Sequence, residues 1–429
     1  MTPPSPERAL ADFAATPAAL PPAVRARAED LLIDALACAV AGRHAPGRDG
    51  FDAAVRSLTG AGDGLVVGDR RAAPAGAAML DAWQATALTM CDVYRPRLCH
   101  VTPPVLGAVL AAAGDATPMR EVVSAFAIGA EVTVRLCDAL PAEAFDGRRW
   151  HAPGVVGPYG AAAAAGALLG LDPEAMTQAF GGAGLHSGGS FATLGSPGVK
   201  LTQARASAAG LTAAELARAG HGGGAHALTA PAGGLYAAFG SGTAAADPRD
   251  RLGEHWSLDR LALRRWPASS SLQSLIEAAT GASDASAHPR LEVELPEQGH
   301  ALCAEMGWDD SLSAMQSARW IAAVSWLDRS FWVEQTSSAR RDDERVAALA
   351  RTVEVRLDPD LPQGGVRLRS AGKVVAEIDV PLGAPQRPLR REDVRGKLDR
   401  AAGPDAAAGI VAAVTGDGDV GALAALLAG

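Results

Sequence analysis

This 429-residue sequence predicts a mostly helical fold with a smaller α+β domain inserted near its C-terminal end, on three observations. Long Ala-rich stretches carry apolar residues at helical spacing through the first 260 residues. Short runs of strict apolar–polar alternation are confined to 290–380. After them the tail, 395–427, is Ala-rich and helical again, so the chain returns to its first domain. The expected division is a helical domain over 1–262 with 395–429, and an α+β domain over 263–394. A chain of this length can bury a large core in each.

Taken in order, 7–41 read as helices broken at Pro21-Pro22. Within 24–41 the apolar positions Leu31, Leu32, Ala35, Leu36, Ala39 and Val40 share helical spacing, and Gly42 closes the segment. Residues 43–72 are rich in Gly and Asp and read as loop, apart from a short helix near 51–58. A helix over 75–90 runs into a segment where Pro96 forbids continuation, which places Asp92 and His100 on a helix end and the loop after it. Pro103-Pro104 open a helix to 113, as Pro does in a first turn. Further helices are expected over 118–140, 159–171, 173–181 with Asp172 as N-cap, and 200–220. The 159–171 helix is nearly all Ala, Gly and Leu; with no polar face, it should be buried on every side. The Gly-rich stretch that follows can bring backbone N–H groups close to a ligand. In the smaller domain, helices are expected over 267–281 and 313–327, and strands over 290–295, 352–357, 366–369 and 373–380.

Composition excludes several classes. A net charge of −9 argues against a nucleic-acid surface. Five Cys, an odd number with no C-x-x-C, make neither a disulfide framework nor a zinc site. The N-terminus, M-T-P-P-S-P-E-R, lacks a basic region followed by an apolar core, and the most apolar window, 155–171, is short and contains Pro158. A cytoplasmic protein with no membrane or nucleic-acid partner is the expectation. His221-Gly-Gly-Gly-Ala-His226 reads as a turn, since its glycines forbid a rigid helical pair of metal ligands. The glycines at 182–188 lack dinucleotide spacing, and no G-x-S-x-G elbow is present. No metal or cofactor is expected.

The chemistry-bearing candidates are few. Lys200, after Gly195-Ser196-Pro197-Gly198-Val199, is one of three lysines (with Lys373 and Lys397) among 39 basic residues. Where Arg is otherwise used, Lys supplies a compact point charge and a titratable amine; a surface-loop lysine is the plainer alternative. Asp92 and His100 could work as carboxylate and imidazole in acid–base chemistry, with capping or burial as the structural alternative. His151 opens the segment W-H-A-P-G.

These pieces carry a resemblance. W-H-A-P-G, the Ala-rich helix ending L-L-G-L-D, G-V-K-L-T-Q-A-R-A at 198–206, L-L-I-D-A-L-A-C-A-V-A-G near Leu31, Cys91-Asp92 with Cys99-His100, and A-P-A-G-G-L-Y-A-A-F near Ala230 resemble, in order and spacing, the MmgE/PrpD family. That family includes 2-methylcitrate dehydratase, cis-aconitate decarboxylase and iminodisuccinate epimerase. The resemblance implies that Asp92, His100, His151 and Lys200 line an active site, that the smaller domain is lid-like and covers it, and that the protein is a homodimer. It also implies a small carboxylate-containing substrate and no cofactor. The chain departs from the family's pattern at Asp92-Val93-Tyr94-Arg95, where Arg95 replaces an Asp and His100 follows two residues early. It departs again at Arg264-Arg265-Trp266-Pro267, at Ser269 among residues that replace a Cys or His, at Gln273 in place of a later His, and at Trp320 in place of a Tyr. Arg95, Arg264, Arg265, Ser269, Gln273 and Trp320 are therefore the candidate substrate-binding residues.

The expected function is a cofactor-independent, dehydratase-type lyase. His151 or His100 would remove a proton next to a carboxylate or carbonyl of a small hydroxy-carboxylate. Lys200, with Arg264 or Arg265, would hold carboxylate oxygens and the enolate-like charge. The other His, assisted by Asp92, would protonate the leaving hydroxyl. The same groups support decarboxylation, isomerisation, epimerisation or cyclisation in a specialised biosynthetic pathway; a non-catalytic family member is the remaining alternative.

Overall fold

The structure, a computed structural model, describes residues 3–16, 19–68, 71–145, 150–282 and 290–428. The chain forms two compact units, and the described residues are mostly helical with one small sheet: Met1–Ala87, Cys91–Leu261 and Val394–Gly429 make the larger unit, Leu88–Met90 and Ala262–Asp393 the smaller.

The larger unit contains α1 (Pro6–Ala15), α2 (Pro22–Gly42), α3 (Arg48–Thr59), α4 (Pro74–Ala87), α5 (Thr102–Ala112), α6 (Met119–Ala139), α7 (Ala152–Leu168), α8 (Pro173–Gly184), α9 (Gly198–Arg218) and α10 (Leu235–Phe239). Helices α5, α7 and α9 pack on one another, with α4 and α6 around them. Every residue of α7 from Ala152 to Gly166 is buried, as a helix without a polar face requires. Its small side chains let backbones meet. A Cβ on Gly160 would lie 2.6 Å from the Gly129 carbonyl of α6, and a Cβ on Gly210 of α9 would lie 2.5 Å from the Pro158 carbonyl.

Helix α7 begins seven residues before the expected start at 159, running straight through Pro158. The proline removes the N–H that would bond the Gly154 carbonyl. The Gly188 N–H donates to that carbonyl instead, at 3.0 Å, so the helix survives its proline.

The smaller unit holds α11 (Gln273–Gly281), β1 (Leu291–Leu295), α12 (Glu297–Cys303), α13 (Ser311–Ala314), α14 (Ala318–Asp328), α15 (Ser338–Arg341), α16 (Glu344–Thr352), β2 (Glu354–Leu357), β3 (Val366–Ser370) and β4 (Lys373–Ile378). The sheet order is β2-β1-β3-β4. β1 and β2 are parallel, with Val293 opposite Val355; the other pairs are antiparallel. Leu291, Val293 and Leu295 alternate inward and share a core with Leu368, Trp320, Trp326 and Phe331. Two expected helices are shorter than read. The 267–281 helix starts only at Gln273, after a 3-10 turn. The 313–327 helix is split, because Ser317 accepts the Trp320 N–H at 3.3 Å and starts α14 afresh.

After β4, α17 (Arg391–Ala402) leads to α18 (Pro404–Thr415) and α19 (Val420–Leu427), and α18 packs on α2 and α6 of the larger unit. Lys397 Nζ lies 2.7 Å from Asp34 Oδ1 of α2, both side chains buried, which fastens the tail. Among the described residues no helix is long and apolar enough to cross a membrane.

Candidate active site

Three polar side chains of the larger unit stand at the N-terminal ends of the packed helices α5, α7 and α9. His100 lies two residues before α5, His151 is the N-cap of α7, and Lys200 sits in the first turn of α9. The rings of His100 and His151 are 6.3 Å apart between centroids, at 72°. His100 and Lys200 both act electrostatically on His151. Neither His151 nor Pro197 caps its helix with a side chain; the Gly154 N–H of α7 and the Val199 and Lys200 N–H groups of α9 donate to the backbone carbonyls of His151, Ser196 and Pro197, and the positive ends of both helix dipoles lie on this side.

Asp92 makes the helix-end contact that was the structural alternative for it. Its carboxylate accepts from Val101 N at 3.0 Å, Thr102 N at 2.9 Å and Thr102 Oγ1 at 2.6 Å. Its charge is thus spent on the N-terminus of α5. Burial pushes this carboxyl up to about 6, against the hydrogen bonds from Thr102 that favour the ionised form. The contact with His100 is made by backbone: the Asp92 carbonyl lies 2.8 Å from His100 Nδ1. A carbonyl can only accept, so Nδ1 carries the proton of the neutral ring and Nε2 its lone pair.

His151 is 3% exposed, and its Nδ1 has no hydrogen-bond partner among the described residues. Burial, then the electrostatic influence of the His100 and Lys200 side chains, push its pKa down to about 3, so the ring is neutral at physiological pH. Its backbone N–H donates to the Gly189 carbonyl at 2.9 Å, and the Phe191 ring stands edge-on to the imidazole at 5.4 Å. The loop can lie this close because Gly188 and Gly189 adopt φ of 153° and 143° and because a Cβ on Gly154 would strike the Gly188 carbonyl. Phe191 and Thr102 are neighbours of the site that the sequence reading missed. Only the position of Thr102 just ahead of Pro103-Pro104 could have flagged a helix start. Lys200 is 8% exposed. Arg95 sits in the loop between Asp92 and His100, on the 3-10 turn Arg95–Arg97.

The remaining candidates lie in the smaller unit. Arg264 is 2% exposed and donates to the Ala268 carbonyl at 3.4 Å. Arg265 pairs with Asp393 at 3.5 Å and lies over the Trp266 ring. Ser269 accepts from Ser271 N at 3.4 Å. The Gln273 amide accepts from Trp266 N at 3.2 Å and donates to the Trp266 and Ala268 carbonyls at 3.1 and 3.2 Å, so it stitches its own turn. Trp320, expected to bind substrate, is instead a core residue: it is fully buried, bonds the Gln335 carbonyl through Nε1 at 2.9 Å, and stacks on Trp308. Its large apolar ring fills the interior of this unit.

Among the described residues no group of three or more His, Cys, Asp or Glu is arranged to hold a metal ion. Two imidazoles beside a buried ammonium, set where helix N-termini meet, can hold an anion and move a proton. The chain matches the MmgE/PrpD N-terminal domain over residues 8–247 and the MmgE/PrpD C-terminal domain over 266–409, and it belongs to the MmgE/PrpD family. It is similar to the cis-aconitate decarboxylase of Aspergillus terreus, 26% identical over 426 residues that cover 90% of this chain and 86% of that one. It is 27% identical over 361 residues to the cis-aconitate decarboxylase of Mus musculus, covering 77% and 72%. A cis-aconitate decarboxylase-like protein of Aspergillus oryzae is 33% identical over 215 residues, 48% of this chain and 45% of that relative's length.

Proposed function

We propose that this protein is a cofactor-independent lyase of dehydratase or decarboxylase type, breaking a bond next to a carboxylate of a small substrate. The observation that carries this reading is the meeting of His100, His151 and Lys200 at the N-terminal ends of α5, α7 and α9.

In dehydration of a hydroxy-carboxylate, His100 Nε2 takes the proton from the carbon beside the carboxylate. Lys200 and the positive dipole ends of α7 and α9 hold the carboxylate and the enolate-like charge that develops on it. His151 rests neutral and becomes a competent acid only once a substrate carboxylate beside it raises its pKa. It then protonates the leaving hydroxyl, and water departs. Asp92 positions the loop and keeps its charge on α5.

A second reading, decarboxylation, is favoured by the names of two relatives that span most of the chain. There the carboxylate leaves as CO2, its bonding electron pair passes to the adjacent carbon system, and a protonated histidine delivers the proton that completes the product. On the family resemblance alone, the same reading extends to a homodimer in the cytoplasm, to a lid role for the smaller unit, and to specialised metabolism as the setting. Turnover of di- and tricarboxylates, followed by NMR for lost water or lost CO2, tests the proposal. Conversion of one of them supports it, and inertness toward all of them counts against it.

A further inference from the structure

The loop that carries His100 is held from behind by residues that do not touch the imidazole. Tyr94 and Cys99 pair backbone to backbone, Tyr94 N to Cys99 O at 2.7 Å and Cys99 N to Tyr94 O at 3.1 Å. Between them run the 3-10 turn Arg95–Arg97 and Leu98, whose φ of 48° is unfavourable for a branched side chain. Such a loop needs outside support to keep one shape. Tyr94 supplies it. Its side chain is fully buried, and its hydroxyl donates to Asp138 Oδ1 at 2.5 Å, near the C-terminal end of α6. Arg260, 166 residues further on, donates to Asp138 Oδ2 at 2.5 Å and to the Tyr94 hydroxyl, with its guanidinium 4.9 Å above the Tyr94 ring. Arg97 adds bonds to the Cys137 and Leu140 carbonyls at 3.2 and 3.3 Å, at the negative end of the same helix.

We propose that Tyr94, Asp138 and Arg260 form a positioning network that fixes the His100 imidazole from outside the site. The chain of contacts is short. The network holds the Tyr94 side chain, Tyr94 backbone holds Cys99, and the next residue is His100. At the other end of the loop, the Asp92 carbonyl receives the His100 Nδ1 proton. Slackening Tyr94 therefore loosens both the place and the tautomer of the ring. The inference rests on His100 being a proton-transfer residue.

The test is nitrogen NMR of histidine-labelled protein, with His100 assigned through a His100→Gln variant. In the parent protein His100 should show the Nδ1-protonated tautomer. Tyr94→Phe removes one hydroxyl and keeps the ring; Asp138→Asn keeps the shape and removes the charge. Each is expected to fold, to give a mixture of His100 tautomers, and to lower kcat on the order of ten- to a hundredfold through misplacement. KM should stay within about twofold, because substrate binding is left in place. The double variant should be no worse than the more affected single one, and Arg260→Lys should be milder than Arg260→Gln. If Tyr94→Phe fails to fold, Arg260→Gln, at a half-exposed position, is read by the same spectrum. An unchanged His100 tautomer in Tyr94→Phe and Asp138→Asn overturns the proposal even if activity falls. A parent protein with no lyase turnover would defeat the functional reading, while the spectrum would still decide the network.

Discussion

His151 is a neutral imidazole enclosed by protein, and that has a consequence for stability. In the unfolded chain it takes up a proton as pH falls below about 6.5, while in the folded protein burial, and after it the neighbouring His100 and Lys200, keep it neutral down to about 3. Between those values the unfolded state binds the extra proton, so stability falls as pH falls, by at most about 1.4 kcal/mol per pH unit from this residue. Urea unfolding across that range should show a steeper loss for the parent protein than for His151→Gln; parallel curves would contradict it. A rare lysine and two histidines stood out in the sequence, and the structure brings His100, His151 and Lys200 near one another. For Asp92 the sequence left a choice between acid–base work and capping. Whether its carboxylate meets an imidazole or a helix end depends on which groups the loop turns toward it, and Val101 and Thr102 reach it through backbone N–H groups that no side-chain pattern announces. Phe191 had no signal at all: it meets His151 only because two glycines fold the chain back.

Helices α6, α7 and α9 touch backbone to backbone, and the contacts fall at named glycines. Gly210→Leu would push its side chain into Pro158 and Ala161 of α7 and should cost roughly 1–3 kcal/mol or more from overpacking. Gly396, inside α17, has open space where its Cβ would be, and Gly396→Ala should stabilise by about 0.5–1 kcal/mol through helix propensity and unfolded-state entropy. Thermal melts of the two variants should move in opposite directions; a shift of the same sign in both would contradict the packing described. The small-faced, fully buried helix was legible from its composition, and its start was not. Pro158 reads locally as a breaker, and the Gly188 N–H that replaces the lost bond comes from 30 residues later.

Over the whole molecule, the fold depends on the chain's return. The C-terminal helices join the larger unit, and the buried Asp34–Lys397 pair bonds that tail to α2. Lys397→Ala strands a buried carboxylate and should cost about 3–5 kcal/mol, whereas Asp34→Leu with Lys397→Met should recover most of that loss. Chemical denaturation measures both; equal losses in the single and double variants would mean that something other than the pair holds the tail. In the sequence the tail shows a switch from alternation back to helical spacing, and its residues cluster with the larger unit. The pairing of Asp34 with Lys397 was hidden by 363 residues of separation. Trp320 shows the limit of matching a residue to a motif, since an aromatic in the aligned place serves the core when burial rewards its full surface.

The most direct test of the central claim is proton NMR of the purified protein in D2O with cis-aconitate, 2-methylcitrate, citrate, malate and iminodisuccinate, run beside Lys200→Ala. The expected result is either loss of water with a new olefinic signal, or loss of CO2 with deuterium entering at the carbon that takes up the proton, and turnover lowered at least about a hundredfold in the folded variant, since removing one charge-stabilising donor costs that much. Unchanged turnover in Lys200→Ala, or no reaction with any candidate, would contradict the assignment of His100, His151 and Lys200 as a proton-transfer site of a carboxylate lyase.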